Sequence, residues 1–233
     1  MSSLRERRGT DVNLRSGPQA REYEAIADRL AAHHPGRVLD WGCGWGQVSK
    51  LLIDRGLEVE PFDYRGDEAE PGRAPLERFP AITCTFSPEP VALPYPDASF
   101  DAVLSCGVLE HVQDPEASLD ELHRVLRPGG RLWVLKLPNR DSYLESIAKR
   151  IGLYYHGQLE HDTIYTAASA RAIVARHGYR VEEVRLANML PLTVDHPVAT
   201  RLAGPIWKLN LWLARLPMLD RLATNVEVYA TRS

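Results

Sequence analysis

The strongest constraint on the fold is an alternation that begins at residue 37. Apolar runs of strand length trade places with stretches of helical spacing, and their first junction is the glycine-rich turn Gly42-Cys43-Gly44-Trp45-Gly46. Arg37–Trp41 reads as a buried strand, Gly46–Arg55 as a helix closed by Gly56, and Leu57–Phe62 as a second strand. The crossover at 66–80 carries Pro71, Gly72, Pro75 and Pro80, so it holds a short helix at best. Ala81–Phe86 and Phe100–Cys106 read as the third and fourth strands. Pro115–Leu126 reads as a helix with proline in its first turn and Arg127-Pro-Gly-Gly130 after its end. Arg131–Leu137 is a fifth strand, Ser142–Ile151 and Ala167–His177 are helices, and Tyr179–Leu186 and Val226–Thr231 are the last strands. Strands alternating with helices imply right-handed crossovers, hence a doubly wound α/β fold on a mainly parallel sheet.

Length and composition fit one domain. The 233 residues suit a single α/β unit at 18–233, preceded by a loose arm at 1–17 with arginines at 5, 7, 8 and 15. A helix from Gln19 to His33 leads into the first strand, its apolar Tyr23, Ile26, Ala27 and Leu30 recurring at helical spacing. The net charge of −3 gives no global basic surface, so no nucleic-acid partner is expected. Cys43, Cys84 and Cys106 are odd in number and widely spaced, which argues against a disulfide framework or a zinc site. The N-terminal stretch has no apolar segment of a secretory signal, and no run is long enough to span a bilayer, so a cytoplasmic location is expected.

In sheets of this kind ligands bind at the carboxyl ends of the strands, near the switch in strand order. The glycines at 42, 44 and 46 permit positive φ and close approach of a ligand to the backbone. The dinucleotide fingerprint G-x-G-x-x-G would need a third glycine where Gln47 stands, which counts against NAD without removing it. Asp40, ahead of the loop, can take an ammonium group, which a nicotinamide dinucleotide does not offer. Asp63 after the second strand can accept from both hydroxyls of a ribose, and Tyr64 can lie against an adenine face. Glu89, in a stiff loop between Pro88 and Pro90, can accept from an exocyclic amine. A tight turn that binds nothing is the plain alternative for the glycine loop, as solvated turn residues are for Asp63, Tyr64 and Glu89.

Four segments together resemble the class I S-adenosylmethionine-dependent methyltransferases: Val38–Gly46, Leu93–Val103, Leu109-Glu-His-Val112 and Leu126-Arg-Pro-Gly-Gly130, in that order. The resemblance implies a Rossmann-like, seven-stranded sheet with a reversed last strand, and S-adenosyl-L-methionine as cofactor. It implies that Asp40, Gly42 and Gly44 hold the methionine part and Asp63 the ribose. It places Glu89 where the family commonly carries Asp, and Cys106, Gly107 and His111 beside the cofactor. Tyr23 and Cys43 complete the candidate cofactor contacts. The proline-rich crossover and the glutamate at 89 depart from the family pattern.

Methyl transfer from a sulfonium is an in-line displacement that rewards alignment, and it needs a base only if the acceptor must lose a proton. His111, His161 and Tyr165 are the candidates for that role, with lining the pocket or facing solvent as the plain alternatives. His156, His161 and Asp162 match no metal-binding spacing, and no metal is expected. The segment 195–225 is too long for a hairpin loop and is rich in Leu and Trp, with Arg201, Lys208 and Arg215 seven residues apart and Pro205 and Pro217 as breakers. It reads as a lid over a hydrophobic acceptor, as a segment lying on a membrane surface, or as a stretch docked on its own core or a dimer partner. The expectation is O-methylation of a small acceptor, lipid-like or aromatic, by a monomer or homodimer. An NAD-dependent oxidoreductase and a non-catalytic binding module remain as alternatives.

Overall fold

The structure, a computed structural model, describes residues 16–64, 82–152, 161–216 and 218–233. The crossover at 66–80, Ala81, His156, Pro217 and residues 1–15 of the arm lie outside the described residues. The last two residues assigned to the arm belong to the fold. Ser16 is buried, caps helix α1 (Gly17–Ala31) by accepting from the Gln19 amide, and donates its hydroxyl to the Leu192 carbonyl.

Seven strands make one sheet: β1 (Arg37–Trp41), β2 (Glu58–Tyr64), β3 (Thr85–Ser87), β4 (Phe100–Cys106), β5 (Leu126–Pro138), β6 (Tyr179–Ala187) and β7 (Asn225–Arg232). Their order is β3-β2-β1-β4-β5-β7-β6. The first five are parallel to one another, and β7 runs antiparallel between β5 and β6. The reversed last strand is therefore present.

Alternate residues of the central strands feed two helical layers, which is what doubly wound means here. Val38, Ala102, Leu104, Trp133 and Leu135 pack with Tyr23, Ile26 and Leu30 of α1 and with Val48 and Leu52 of α2 (Gln47–Ile53). Leu39, Val103, Leu132 and Val134 pack with Leu119 and Leu122 of α3 (Pro115–Val125) on the opposite face. The helices start where the side chains say they should. Asp114 caps α3 by accepting from the Ala117 amide at 2.9 Å, and a reciprocal Thr166–Ser169 capping box opens α5 (Ala167–Arg176). Between them in sequence, α4 (Tyr143–Arg150) is capped by Ser142.

Three elements differ from the sequence reading. β3 is confined to Thr85–Ser87, because it is an edge strand that pairs only with the last three residues of β2. β5 begins five residues early: Leu126 pairs with Phe100, and the turn expected at Arg127–Gly130 becomes a bulge before Arg131 joins Ala102. Pro205 does not break the 195–225 segment. It sits in the first turn of α7 (Ala203–Leu213), where a missing N–H costs nothing, and the break falls just before it, after α6 (Pro197–Arg201).

Candidate active site

The strand order reverses between β1 and β4, so the loops following these strands and β2 frame a crevice at their carboxyl ends. The glycine loop is pinned across β2: the Gly42 and Cys43 amides both donate to the Phe62 carbonyl, at 2.8 and 2.9 Å. Gly42, Gly44 and Gly46 all have positive φ, at 75°, 54° and 76°. Two of the glycines are needed for different reasons. A Cβ on Gly42 would sit 2.4 Å from Val108 Cγ2, so this glycine lets the loops after β1 and β4 close on each other. A Cβ on Gly44 would meet no protein atom within 4 Å, so its bare backbone faces open space.

Two carboxylates stand beside the loop. Asp40 is buried in the sheet and accepts from the Ser49 hydroxyl of α2. Burial pushes its carboxyl up to about 6, the Ser49 bond opposes this, and the charge of nearby Asp63 adds to it. Asp63 is half-buried at the end of β2 and accepts from the Tyr64 amide at 2.9 Å. The Tyr64 ring is exposed. Glu89 is exposed on the loop after edge strand β3, and its amide donates to the Ser87 hydroxyl at 3.1 Å.

On the other side of the loop, α1 brings Tyr23 against the end of β4. Burial raises its phenol, with Lys136, Cys106, Glu22 and Gln47 as its electrostatic neighbours. Burial likewise raises the Cys106 thiol. Gly107 has a φ of 73°, and its amide donates to the Leu135 carbonyl. Cys43 is buried with its sulfur 3.5 Å from that of Cys84, and all three thiols are free.

The sequence reading missed Lys136 and Glu22. Lys136 sits at a break in the β5–β7 register with φ of 65°, which turns its ammonium to Glu22 of α1 at 2.7 Å. Burial lowers its pKa, but Glu22, Tyr23 and Cys106 together outweigh this and the net shift is upward. Glu22 also accepts from the Gln19 and Asn188 side-chain amides. A lone cation in the apolar run Leu132–Pro138 was the available signal.

His111 is the candidate base that the structure surrounds with acids. Its Nδ1 lies 2.9 Å from Asp162 Oδ1 and its Nε2 3.8 Å from Glu110 Oε1. The imidazole is 39% exposed, whereas the Asp162 side chain is 1% exposed. The Thr163 amide donates to the Glu110 carbonyl at 2.8 Å, tying the two loops together. Asp162, weighed from the sequence only as a metal ligand, is thus the partner of His111. His161 is exposed and is not brought into the pair. Tyr165 does not fit the role of base: its ring is in the core, and burial pushes its phenol up to about 12. Among the described residues no cluster of His, Cys, Asp and Glu is suited to a metal.

Residues 39–134 match the family described as "Methyltransferase domain". A "probable S-adenosylmethionine-dependent methyltransferase" of Mycolicibacterium smegmatis is 32% identical over 164 residues, 70% of this chain and 60% of that protein. The demethylmenaquinone methyltransferase of Renibacterium salmoninarum is 30% identical over 171 residues, 70% of each chain. The chain spans about 60% of the length of several other curated relatives. Among solved structures, the 1,6-didemethyltoxoflavin-N1-methyltransferase of Burkholderia thailandensis shares the fold with a TM-score of 0.59 at 21% identity, over 97% of this chain and 82% of that one. The glycine loop between β1 and α2, the reversed β7 and these likenesses agree: the chain belongs to the S-adenosylmethionine-dependent methyltransferases.

Proposed function

We propose that this chain transfers the methyl group of S-adenosylmethionine to a small acceptor bearing an ionisable hydroxyl on an aromatic ring, with His111 receiving the proton. The observation that carries the reading is the His111–Asp162 pair at 2.9 Å, a half-exposed imidazole held by a buried carboxylate at the carboxyl edge of β4. Asp162 contacts Nδ1, and we assign Nε2, on the side of Glu110, to take the acceptor's proton. A deprotonated ring hydroxyl offers its electron pair through oxygen or through a neighbouring ring carbon. The Renibacterium relative is named for demethylmenaquinone, which supports a ring as the acceptor.

The residues fit the cofactor. The charges of Asp40 and Asp63 repel each other, so a cation beside them is favoured, and the bare Gly44 backbone leaves room for one. S-adenosylmethionine, when bound, supplies a methyl group already activated by the positive charge on its sulfur. We assign its amino-acid part to Asp40, Gly42 and Gly44, its ribose to Asp63 and its adenine to Tyr64 and Glu89. Tyr23, Cys43, Cys106 and Gly107 wall the space.

Two measurements probe this assignment. Gly44→Ala is expected to cost the fold only about 1–2 kcal/mol, the penalty of a left-handed non-glycine residue, because its methyl meets no protein atom. The same methyl is expected to weaken S-adenosylhomocysteine binding by at least roughly tenfold, or about 1.4 kcal/mol. Equal affinity would remove Gly44 from the site. The second concerns pH. Because the folded pKa of Asp40 is raised, its contribution to stability is largest when protonated and is lost as pH rises through about 6. An ammonium ligand needs the ionised form, so affinity should rise with pH through about 6 while the unliganded fold loses stability. Asp40→Asn should flatten both trends, and an unchanged titration curve would contradict the role.

The proposal itself is tested by label transfer from methyl-tritiated S-adenosylmethionine to hydroxyaromatics, amines and RNA. Turnover confined to the hydroxyaromatics supports it. Turnover with amines or RNA alone overturns it.

A further inference from the structure

We infer that α6, α7 and the turn after them form a face that docks on an anionic phospholipid bilayer. This reading is independent of the acceptor class above. It starts from an inversion in α7. A helix on a protein surface buries its apolar stripe and shows its polar side to water. Here the buried residues are Ala203 and Asn210, while Leu209 is 48% and Trp212 57% exposed.

Asn210 is fixed in that inward position. Its side-chain oxygen accepts from the Met189 and Leu190 amides, at 2.8 and 2.9 Å, and its nitrogen donates to Asn188 Oδ1 at 3.1 Å. Rolling the helix to hide Leu209 and Trp212 would break all three bonds and leave buried polar groups unpaired. The apolar face therefore stays outward, which speaks against a lid that turns inward over a substrate.

The outward face continues beyond α7. Val198 and Leu202 precede it and Met218 follows it, at 53%, 48% and 80% exposure. Leu202 lies at the junction of α6 and α7, and Leu209 and Trp212, three residues apart within α7, share its side. Arg201 ends α6, Lys208 lies within α7 and Arg215 follows it, all exposed. From 197 to 222 the chain has four cations, Arg201, Lys208, Arg215 and Arg221, against the single carboxylate of Asp220. Exposed Trp and Leu flanked by cations, in a chain of net charge −3, match the interfacial zone of a negatively charged bilayer. At 11 residues α7 is far too short to cross a bilayer, and no described helix is long and apolar enough to do so, so the contact lies in the plane of the surface.

The test is co-sedimentation of the full chain with vesicles of phosphatidylcholine alone and of phosphatidylcholine mixed with phosphatidylglycerol. The chain is expected to sediment with the mixed vesicles, and less so as salt rises. Leu209→Glu with Trp212→Glu should weaken this binding by at least roughly tenfold. Lys208→Glu with Arg215→Glu should abolish the preference for the anionic mixture. S-adenosylhomocysteine binding, measured on every sample, reports that the variants fold and is read separately from docking. A wild type that binds this ligand but neither vesicle overturns the inference. So does an apolar double variant that sediments like the wild type. A wild-type dimer that the double variant dissolves, with no vesicle association, gives the face to a second copy of the chain and overturns it equally.

Discussion

His111→Ala should lower kcat for methyl transfer by about 10²–10⁴, the range for loss of a positioned general base. The loss should fall far more on kcat than on S-adenosylhomocysteine affinity, because the imidazole acts on the acceptor's proton. The geometry makes the expectation specific. Asp162 is 1% exposed and holds Nδ1 at 2.9 Å, so the ring is fixed in orientation with Nε2 on the side of Glu110. Asp162→Asn keeps the shape of that contact but replaces an acceptor pair with an amide that can present its NH2 group to Nδ1. It should lower kcat by a smaller factor. His161→Ala, which removes an exposed histidine outside the pair, should leave kcat close to wild type. An acceptor whose turnover survives His111→Ala would show that alignment alone suffices and that no base is used.

The second large effect concerns stability. Glu22→Ala should destabilise the fold by about 3–5 kcal/mol, the cost of breaking a buried pair and leaving one charge uncompensated. Lys136 would lose the carboxylate that keeps its ammonium charged against burial, and the amides of Gln19 and Asn188 would lose their acceptor. Lys136→Met should cost less, because Glu22 retains those two amide donors. Glu22→Leu combined with Lys136→Met should recover much of the loss, since apolar replacement of a buried ion pair is often neutral. Urea unfolding of the four chains measures this directly. A Glu22→Ala chain within about 0.5 kcal/mol of wild type, the range of an ordinary surface substitution, would mean that water reaches the pair and replaces the bond.

The sheet was legible because its signals are local. Val38–Trp41 and Phe100–Cys106 are apolar runs of strand length, and the turn residues at Gly42–Gly46 and Gly56 mark where the chain reverses. What the sequence left dark depended on partners far along the chain. The start of β5 at Leu126 is set by pairing with Phe100, which overrides a proline and two glycines that locally spell a turn. β3 is shorter than its apolar run because β2 offers only three residues to pair with. Among the candidate residues, Asp40, Gly42 and Gly44 were legible as neighbours because they follow one another along the end of one strand and its turn. Asp162 and Lys136 were not, since each acquires meaning only when its partner, His111 or Glu22, arrives from another element. Tyr165 shows the converse: the family resemblance made its region a source of acceptor-facing groups, and the fold turned its ring into the core. The 195–225 segment was hardest to read because α7 buries Asn210 while leaving Leu209 and Trp212 exposed.

The most direct test is calorimetric titration of the purified chain with S-adenosylhomocysteine, run beside NADH and repeated on Asp63→Ala. Saturable binding of S-adenosylhomocysteine alone, weakened by at least roughly tenfold in the variant, is the predicted result. A folded chain that does not bind S-adenosylhomocysteine, or binds NADH in its place, would contradict the assignment of the glycine loop.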